Sequence, residues 1–213
     1  MPTSDSESLT PPLSPRKVLV TGASGFLGGK LTRRLLEQGC SVTGLCRRPQ
    51  PELEALGVKM LYVDLSDATA ARSACADMDT VFHTAAKVGI WGKREDFKNA
   101  NVIGTQSIIN GCRDFLVPKL VYTSTPSVVF NNQNLAGADE SLPYGTDIPC
   151  PYPASKVIAE KAVLDAHNQP PGHLKTVALR PHLIWGPGAP NLVPRVLERG
   201  DKLIADANTG WTQ

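Results

Sequence analysis

The sequence predicts an α/β fold, a doubly wound parallel sheet with helices on both faces. Three observations predict it. From Lys17 onward, short β-branched runs alternate with longer segments of helical period, the pattern of a parallel sheet covered by crossover helices. A glycine-rich turn stands directly between the first such run and the first helical segment. The 213 residues, 41% of them hydrophobic, suffice for one sizeable core and fall short of two domains of ordinary size.

The elements follow in order. Residues 1–15, rich in Ser and Pro with early acids, read as a disordered tail with no apolar run of signal-peptide length. Strands are expected at 17–21, 41–45, 60–63, 80–84, 120–124 and 176–179. Between the first two, FLGGKLTRRLLEQG places Leu27, Leu31, Leu35 and Leu36 on one helix face, with Gly39 as the stop. This is a βαβ unit. Further helices are expected at 67–76, 96–115 and 153–167. After Arg180 the pattern changes: RPHLIWGPGAPN reads as loop, 192–199 as a helix and 202–205 as a strand.

Composition excludes several classes. The 22 basic and 20 acidic residues are interspersed and leave a formal charge of +2, so neither a nucleic-acid surface nor a polybasic membrane patch is expected. The five cysteines form no CxxC pair and no Cys/His cluster of zinc spacing, so no metal site is expected, and their scatter suits a reducing compartment. No segment approaches the roughly 18 uninterrupted apolar residues of a membrane span. A cytoplasmic protein is the expectation.

VLVTGASGFLGG supplies the context that a glycine fingerprint needs: a hydrophobic strand before it and an amphipathic helix after it. Gly22 permits the tight turn, Gly25 lets backbone approach a pyrophosphate, and Gly28 allows close helix packing; Ser24, Phe26 and Leu27 complete the turn. Residues 16–190 are therefore expected to form a Rossmann-type dinucleotide-binding domain. A carboxylate for the ribose of NAD would stand about 20 residues after the glycines. There the sequence has Cys46, Arg47 and Arg48. A cation suits a 2′-phosphate, so Arg47 points to NADP(H) rather than NAD(H); the alternative is a pair of solvated loop charges. Asp64, in VDL, suits either a hydrogen bond to the adenine or the cap of the next helix.

Tyr152 and Lys156 lie four apart at the start of a helix and share one face. An ammonium beside a phenol favours the phenolate, so the Tyr152 pKa is expected below the usual value of about 10. YTSTPS ends the fifth strand, where open α/β sheets place ligands. Ser124 and Thr125 there could hold a substrate carbonyl, Thr125 first; routine strand-end capping is the alternative.

TGxxGFLG, VDL, HTAA, NVIGT, YTSTPSVV, the Tyr152–Lys156 pair and RPxxxWGPG, in this order from about Lys17 to Asp206, resemble the extended short-chain dehydrogenase/reductases. AAKVGIWG, TPSVVF, ADESLPY and LRPHLIWGPG resemble their 3β-hydroxysteroid dehydrogenase branch, above all the bacterial 2-alkyl-3-oxoalkanoate reductases of olefin biosynthesis, and also sterol 4-decarboxylating dehydrogenases. The resemblance implies Tyr152 as general acid/base, Lys156 on the nicotinamide ribose, Thr125 with Ser124 on the carbonyl, and Asn101 in a water relay to Lys156. It adds Leu65, Ala85 and Pro181 to the cofactor site, places Gly186 and Pro187 at the nicotinamide end, and makes Trp91 a substrate-side wall, a surface anchor packed on the sheet being the alternative. His83 and His182, at strand ends, read as hydrogen-bonded structure.

The implied activity is hydride transfer between NADP(H) and a 3-oxo or 3-hydroxy group of a bulky apolar substrate, of 2-alkyl-3-oxoalkanoate or 3β-hydroxysteroid type. Competing readings are a nucleotide-sugar epimerase or dehydratase, which VGIWG and LRPHLIWGPG argue against, and a non-catalytic dinucleotide-binding fragment. Extended members continue into a smaller substrate domain, of which 191–213 is expected to be the truncated start. Related enzymes dimerise through helices equivalent to 96–115 and 153–167, so a homodimer is a further expectation.

Overall fold

The computed structural model describes residues 16–189 apart from 90, 132–136 and 147, together with 194, 196 and 197. Val18, Leu19 and Val20 are all buried in the central strand β1 (Lys17–Thr21), the mark of a strand covered on both faces. Beside it lie β2 (Ser41–Cys46), β3 (Lys59–Tyr62), β4 (Thr80–His83), β5 (Lys119–Thr123) and β6 (Lys175–Leu179). All pair in parallel, in the order β3-β2-β1-β4-β5-β6. The six expected strands are all present, each end within one residue.

Helices cover both faces, as expected. On one, α1 (Phe26–Glu37) brings Leu31, Leu35 and Leu36 against Val18, Val20 and Val42, joined by Leu53 of α2 (Pro51–Ala55). On the other, α3 (Ala68–Ser73), α5 (Gly104–Asp114) and α6 (Pro151–Asp165) close over Leu19, Leu45, Val81 and Leu120. The alternation of Val18 and Val20 with Leu19 divides the core between the faces.

Three elements depart from expectation. The short helix α2 was not anticipated; Pro51 starts it and Glu52 and Glu54 suit its first turn. The helix expected at 96–115 runs without a break from Arg94 to Asp114 but is not uniform. It begins as α4 (Arg94–Phe97), widens into a π-helical turn over Lys98–Ile103, and resumes as α5. The wide turn carries Asn101, which is buried. A single 3-10 turn, Pro126–Val128, follows β5. The helix proposed at 192–199 lies largely outside the described residues; the tail 1–15 and the strand at 202–205 lie wholly outside them.

Strand order reverses between β1 and β4. Their carboxyl ends diverge there, and such a switch point opens a crevice. A cavity of about 670 Å³ occupies it.

Candidate active site

The glycine turn forms the floor of that cavity. Gly22 has φ +70 and its amide donates to the Leu45 carbonyl at 2.7 Å, closing the turn onto β2. A Cβ on Gly22 would stand 2.9 Å from Ala85 Cα, and one on Gly28 would stand 2.1 Å from the Gly22 carbonyl oxygen. Neither position can hold a larger residue without moving backbone. Gly25 caps α1 with no side-chain hydrogen bond, and the first turn contains no acid. The positive end of a twelve-residue helix is thus directed at the cavity and suits an anion.

Seven of the expected cofactor residues line this cavity: Gly22, Ser24, Gly25, Arg47, Asp64, Leu65 and Ala85. Lys87, Asp96, Asn99 and Ala100 line it too and were missed. Lys87 could have been noticed as the cation just past HTAA. Its Nζ donates to Asp96 at 2.8 Å. Phe26, Leu27 and Gly28 belong to α1, Gly28 acting through packing. Gly186 comes against Phe26, within 3.6 Å as a Cβ would measure it, so the loop after β6 returns to the start of α1. Pro181, in the same loop, is half-buried; His182 is exposed.

Arg47 and Asp64 face each other at 3.8 Å, with 74% of the arginine side chain and 51% of the aspartate exposed. The Ser66 amide donates to Asp64 Oδ1 at 2.9 Å, and that bond, with the Arg47 charge, keeps the carboxyl below its usual range. Asp64 does not cap α3. Asp67 does, accepting from the Ala70 amide at 3.0 Å.

The second group of residues gathers at the carboxyl end of β5. The Ser124 amide donates to the Leu179 carbonyl at 2.6 Å, holding this corner against β6. Thr125 caps the 3-10 turn, accepting from the Ser127 amide at 3.3 Å, and its hydroxyl also reaches the Tyr152 phenol. Lys156 is only 2% exposed: its Nζ donates to the Thr123 carbonyl at 2.6 Å and lies 4.1 Å from the Tyr122 ring centre. Burial lowers the Lys156 pKa to about 7 against the opposing pull of Glu160.

For Tyr152 the expected direction is corrected. Burial raises its pKa, and the Thr125 hydrogen bond only partly offsets that. The reason is geometric: the Lys156 ammonium is directed at a carbonyl and a ring, so desolvation decides the phenol.

Glu160, one turn beyond Lys156, was not anticipated. It is fully buried, and Arg180 grips it through Nη2 at 2.6 Å and Nε at 3.1 Å, while the Tyr144 hydroxyl donates at 2.9 Å. Burial would raise this carboxyl, but the Arg180 bonds, with smaller help from Ser124 and Tyr144, hold it below the usual range. Ser124 Oγ is buried close to it without a partner of full hydrogen-bond geometry.

Asn101 reaches the site indirectly. Its Oδ1 accepts from the Lys87 amide at 2.7 Å, and its Nδ2 donates to the Lys87 carbonyl at 3.0 Å and to Ser155 Oγ at 2.9 Å. Trp91 is 90% exposed, so it is not an anchor packed on the sheet. Among the described residues no His, Cys, Asp and Glu side chains cluster as metal ligands, and no helix is long and apolar enough to cross a membrane. None of the five cysteines, all within the described residues, forms a disulfide.

Residues 19–206 match the 3-beta hydroxysteroid dehydrogenase/isomerase family. The 2-alkyl-3-oxoalkanoate reductase of Shewanella oneidensis is 49% identical over 185 residues, 85% of this chain and 48% of that protein. The 3 beta-hydroxysteroid dehydrogenase/Delta 5-->4-isomerase of Mycobacterium tuberculosis is 38% identical over 194 residues, 85% of this chain and 50% of that protein. The chain spans about half the length of these curated relatives. Among solved structures, MoeE5 in complex with UDP-glucose and NAD is similar with a TM-score of 0.75 at 29% identity, over 86% of this chain and 60% of that one. UDP-glucuronic acid 4-epimerase from Bacillus cereus, in complex with NAD, is similar with a TM-score of 0.65 at 27% identity, over 77% and 56%.

Proposed function

We propose that this chain, which belongs to the 3-beta hydroxysteroid dehydrogenase/isomerase family, is the cofactor-binding and proton-transferring part of an NADP(H)-dependent oxidoreductase. It interconverts a 3-oxo and a 3-hydroxy group on a bulky apolar substrate, of 2-alkyl-3-oxoalkanoate or 3β-hydroxysteroid type. The supporting observation is the adjacency of two sites: a glycine cradle at the ends of β1 and β4, and a Thr125–Tyr152–Lys156 group at the end of the neighbouring β5. Similarity to the reductases and dehydrogenases supports the substrate class.

The cradle fits a dinucleotide, since Gly22, Ser24 and Gly25 line it and α1 directs at it an N-terminus with no acid in its first turn. Gly22, Ser24, Gly25, Phe26, Leu27 and Gly28 hold the pyrophosphate; Arg47, Asp64 and Leu65 hold the adenosine end; Ala85, Lys156, Tyr152 and Pro181 hold the nicotinamide end. Bound there, NADP(H) supplies or accepts the hydride. Thr125 and Ser124 donate hydrogen bonds to the substrate oxygen. Tyr152 passes a proton to that oxygen in reduction and removes one in oxidation. Lys156 offers an ammonium one turn away, and Asn101 holds Ser155 and hence the first turn of α6. Trp91 borders the apolar part of the substrate.

Arg47 supports NADP(H) over NAD(H): it lines the cavity where a 2′-phosphate would lie and remains three-quarters exposed beside Asp64. The likeness to nucleotide-sugar enzymes favours a second reading, with a UDP-sugar as substrate. Incubating the purified chain with NADPH and a 2-alkyl-3-oxoalkanoate separates them. Loss of NADPH absorbance supports the first; none with the ketone, together with conversion of a UDP-sugar, supports the second. Ile103, Ile158 and Leu164 are exposed on the helices named for a homodimer, which supports that reading, and sedimentation tests it.

A further inference from the structure

His83, for which the proposed chemistry has no use, is fully buried at the end of β4. Its Nδ1 lies 2.7 Å from Thr21 Oγ1 and its Nε2 lies 3.0 Å from Thr105 Oγ1. The bonds continue in both directions. Thr21 Oγ1 accepts from the Ala85 amide at 3.2 Å. Thr105 Oγ1 donates to the Asn101 carbonyl at 2.6 Å, the Asn101 amide donates to Ser155 Oγ at 2.9 Å, and Ser155 Oγ donates to the Tyr152 carbonyl at 2.7 Å.

Every proton in this series has one allowed place. Two oxygens 2.6 Å apart need a hydrogen between them, and of Thr105 Oγ1 and the Asn101 carbonyl only the threonine has one. Thr105 must then accept from His83, which puts the ring hydrogen on Nε2. Nδ1 is left as an acceptor for Thr21, whose oxygen in turn accepts from Ala85. The Asn101 amide is oriented by the Lys87 amide and carbonyl, so it presents N–H, never oxygen, to Ser155. Donors run from Ala85 to the Asn101 carbonyl, and from the Asn101 side-chain amide a second run continues the same way to Tyr152, the two joined through the Asn101 residue itself.

We propose that His83 is a positioning residue: through this one-way chain of hydrogen bonds it holds the glycine turn and the Tyr152 end of α6 in one register. The chain joins the two halves of the site. Thr21 immediately precedes Gly22, and the amides of Ala85 and Lys87, both at the cofactor cavity, are held by Thr21 and by Asn101. Burial and the Lys156 charge lower the His83 pKa to about 3, so the ring stays neutral and the direction of the chain does not change with pH. The other polar groups around it are the Tyr122 ring, 5.6 Å from the imidazole, and the Tyr122 hydroxyl, which is near Thr105. Reversing or breaking one link leaves a buried donor or acceptor unmatched, which a low-dielectric site penalises heavily.

The purpose assigned to this register rests on the oxidoreductase reading, but its test needs neither cofactor nor substrate. Long-range proton–nitrogen correlation spectra of the full chain, with His83 identified by its loss in His83→Asn, are expected to show the neutral Nε2–H form from about pH 8 to about pH 5. An Nδ1–H ring, or a ring that protonates near pH 6, would overturn the proposal. Thr105→Val removes the hydroxyl and keeps the shape; Thr105→Ser keeps the hydroxyl. Amide exchange at both Ala85 and Lys87 is expected to quicken about tenfold or more in Thr105→Val and to return to near the wild-type rate in Thr105→Ser. Equal exchange in the two variants, or a change confined to α5, would contradict it. If the tautomer and exchange results hold while NADPH and ketone give no turnover, the positioning chain stands and the oxidoreductase reading falls.

Discussion

Lys156 and Thr123 are joined by a 2.6 Å hydrogen bond from the ammonium to the β5 carbonyl, so the buried cation of α6 is tied to the sheet. Burial lowers its pKa from 10.5 to about 7. The unfolded chain therefore holds one more proton than the folded chain between those two values, and folding stability gains from this group as pH rises through that window. Below about pH 7 both states are protonated and the full burial penalty applies. Chemical denaturation of wild type and Lys156→Met at about pH 6 and about pH 9 should show the wild type gaining on the variant by roughly a few kcal/mol at the higher pH. A constant difference would mean that Lys156 is not desolvated as described.

Arg180→Ala is expected to cost about 3–5 kcal/mol, because it leaves the fully buried Glu160 carboxylate without its cation. Glu160→Gln with Arg180→Met should recover much of that loss. The Glu160 pKa is lowered in the fold, so its contribution is fully present above the ordinary carboxylate range and is lost as pH falls from that range through the lowered folded value. Thermal melts of the single and double variants check this; a loss in the double variant equal to the sum of the single losses would show that the pair is not coupled.

Much of this arrangement is legible in the sequence, for identifiable reasons. β1 and β2, buried on both faces, leave dense apolar runs, and the more exposed β3 and β6 are still marked by short apolar or β-branched runs. The turn at Gly22 is legible because strand, glycines and amphipathic helix occur together. Glu160, Arg180 and Tyr144 are not, since they come from three separate segments and nothing local marks their meeting. The π-helical turn over Lys98–Ile103 contains neither Gly nor Pro, so no residue type in it marks the wider turn. The Tyr152 pKa was read from spacing to Lys156, but spacing carries no information on burial, and burial sets its direction.

Gly28→Ala tests the cradle. A Cβ there meets the Gly22 carbonyl oxygen at 2.1 Å, so the helix must move away from the turn. Dinucleotide binding should fall at least about tenfold, with a stability loss of roughly 1–3 kcal/mol. Calorimetric titration with NADPH measures the first; unchanged affinity would remove the packing role.

Arg47→Ala should weaken NADPH binding by about tenfold to a hundredfold and leave NADH binding within about threefold, as expected for one charge-assisted contact to a 2′-phosphate. Equal losses for the two nucleotides would show that Arg47 does not read that phosphate.

The most direct measurement compares wild type with Tyr152→Phe in NADPH-dependent reduction of a 2-alkyl-3-oxoalkanoate, with NADPH affinity determined in parallel. The expected result is a rate lower by about a hundredfold to ten-thousandfold at nearly unchanged affinity, as for loss of a general acid. A wild-type rate in the variant, or a wild type that binds NADPH and reduces nothing, would contradict the proposed function.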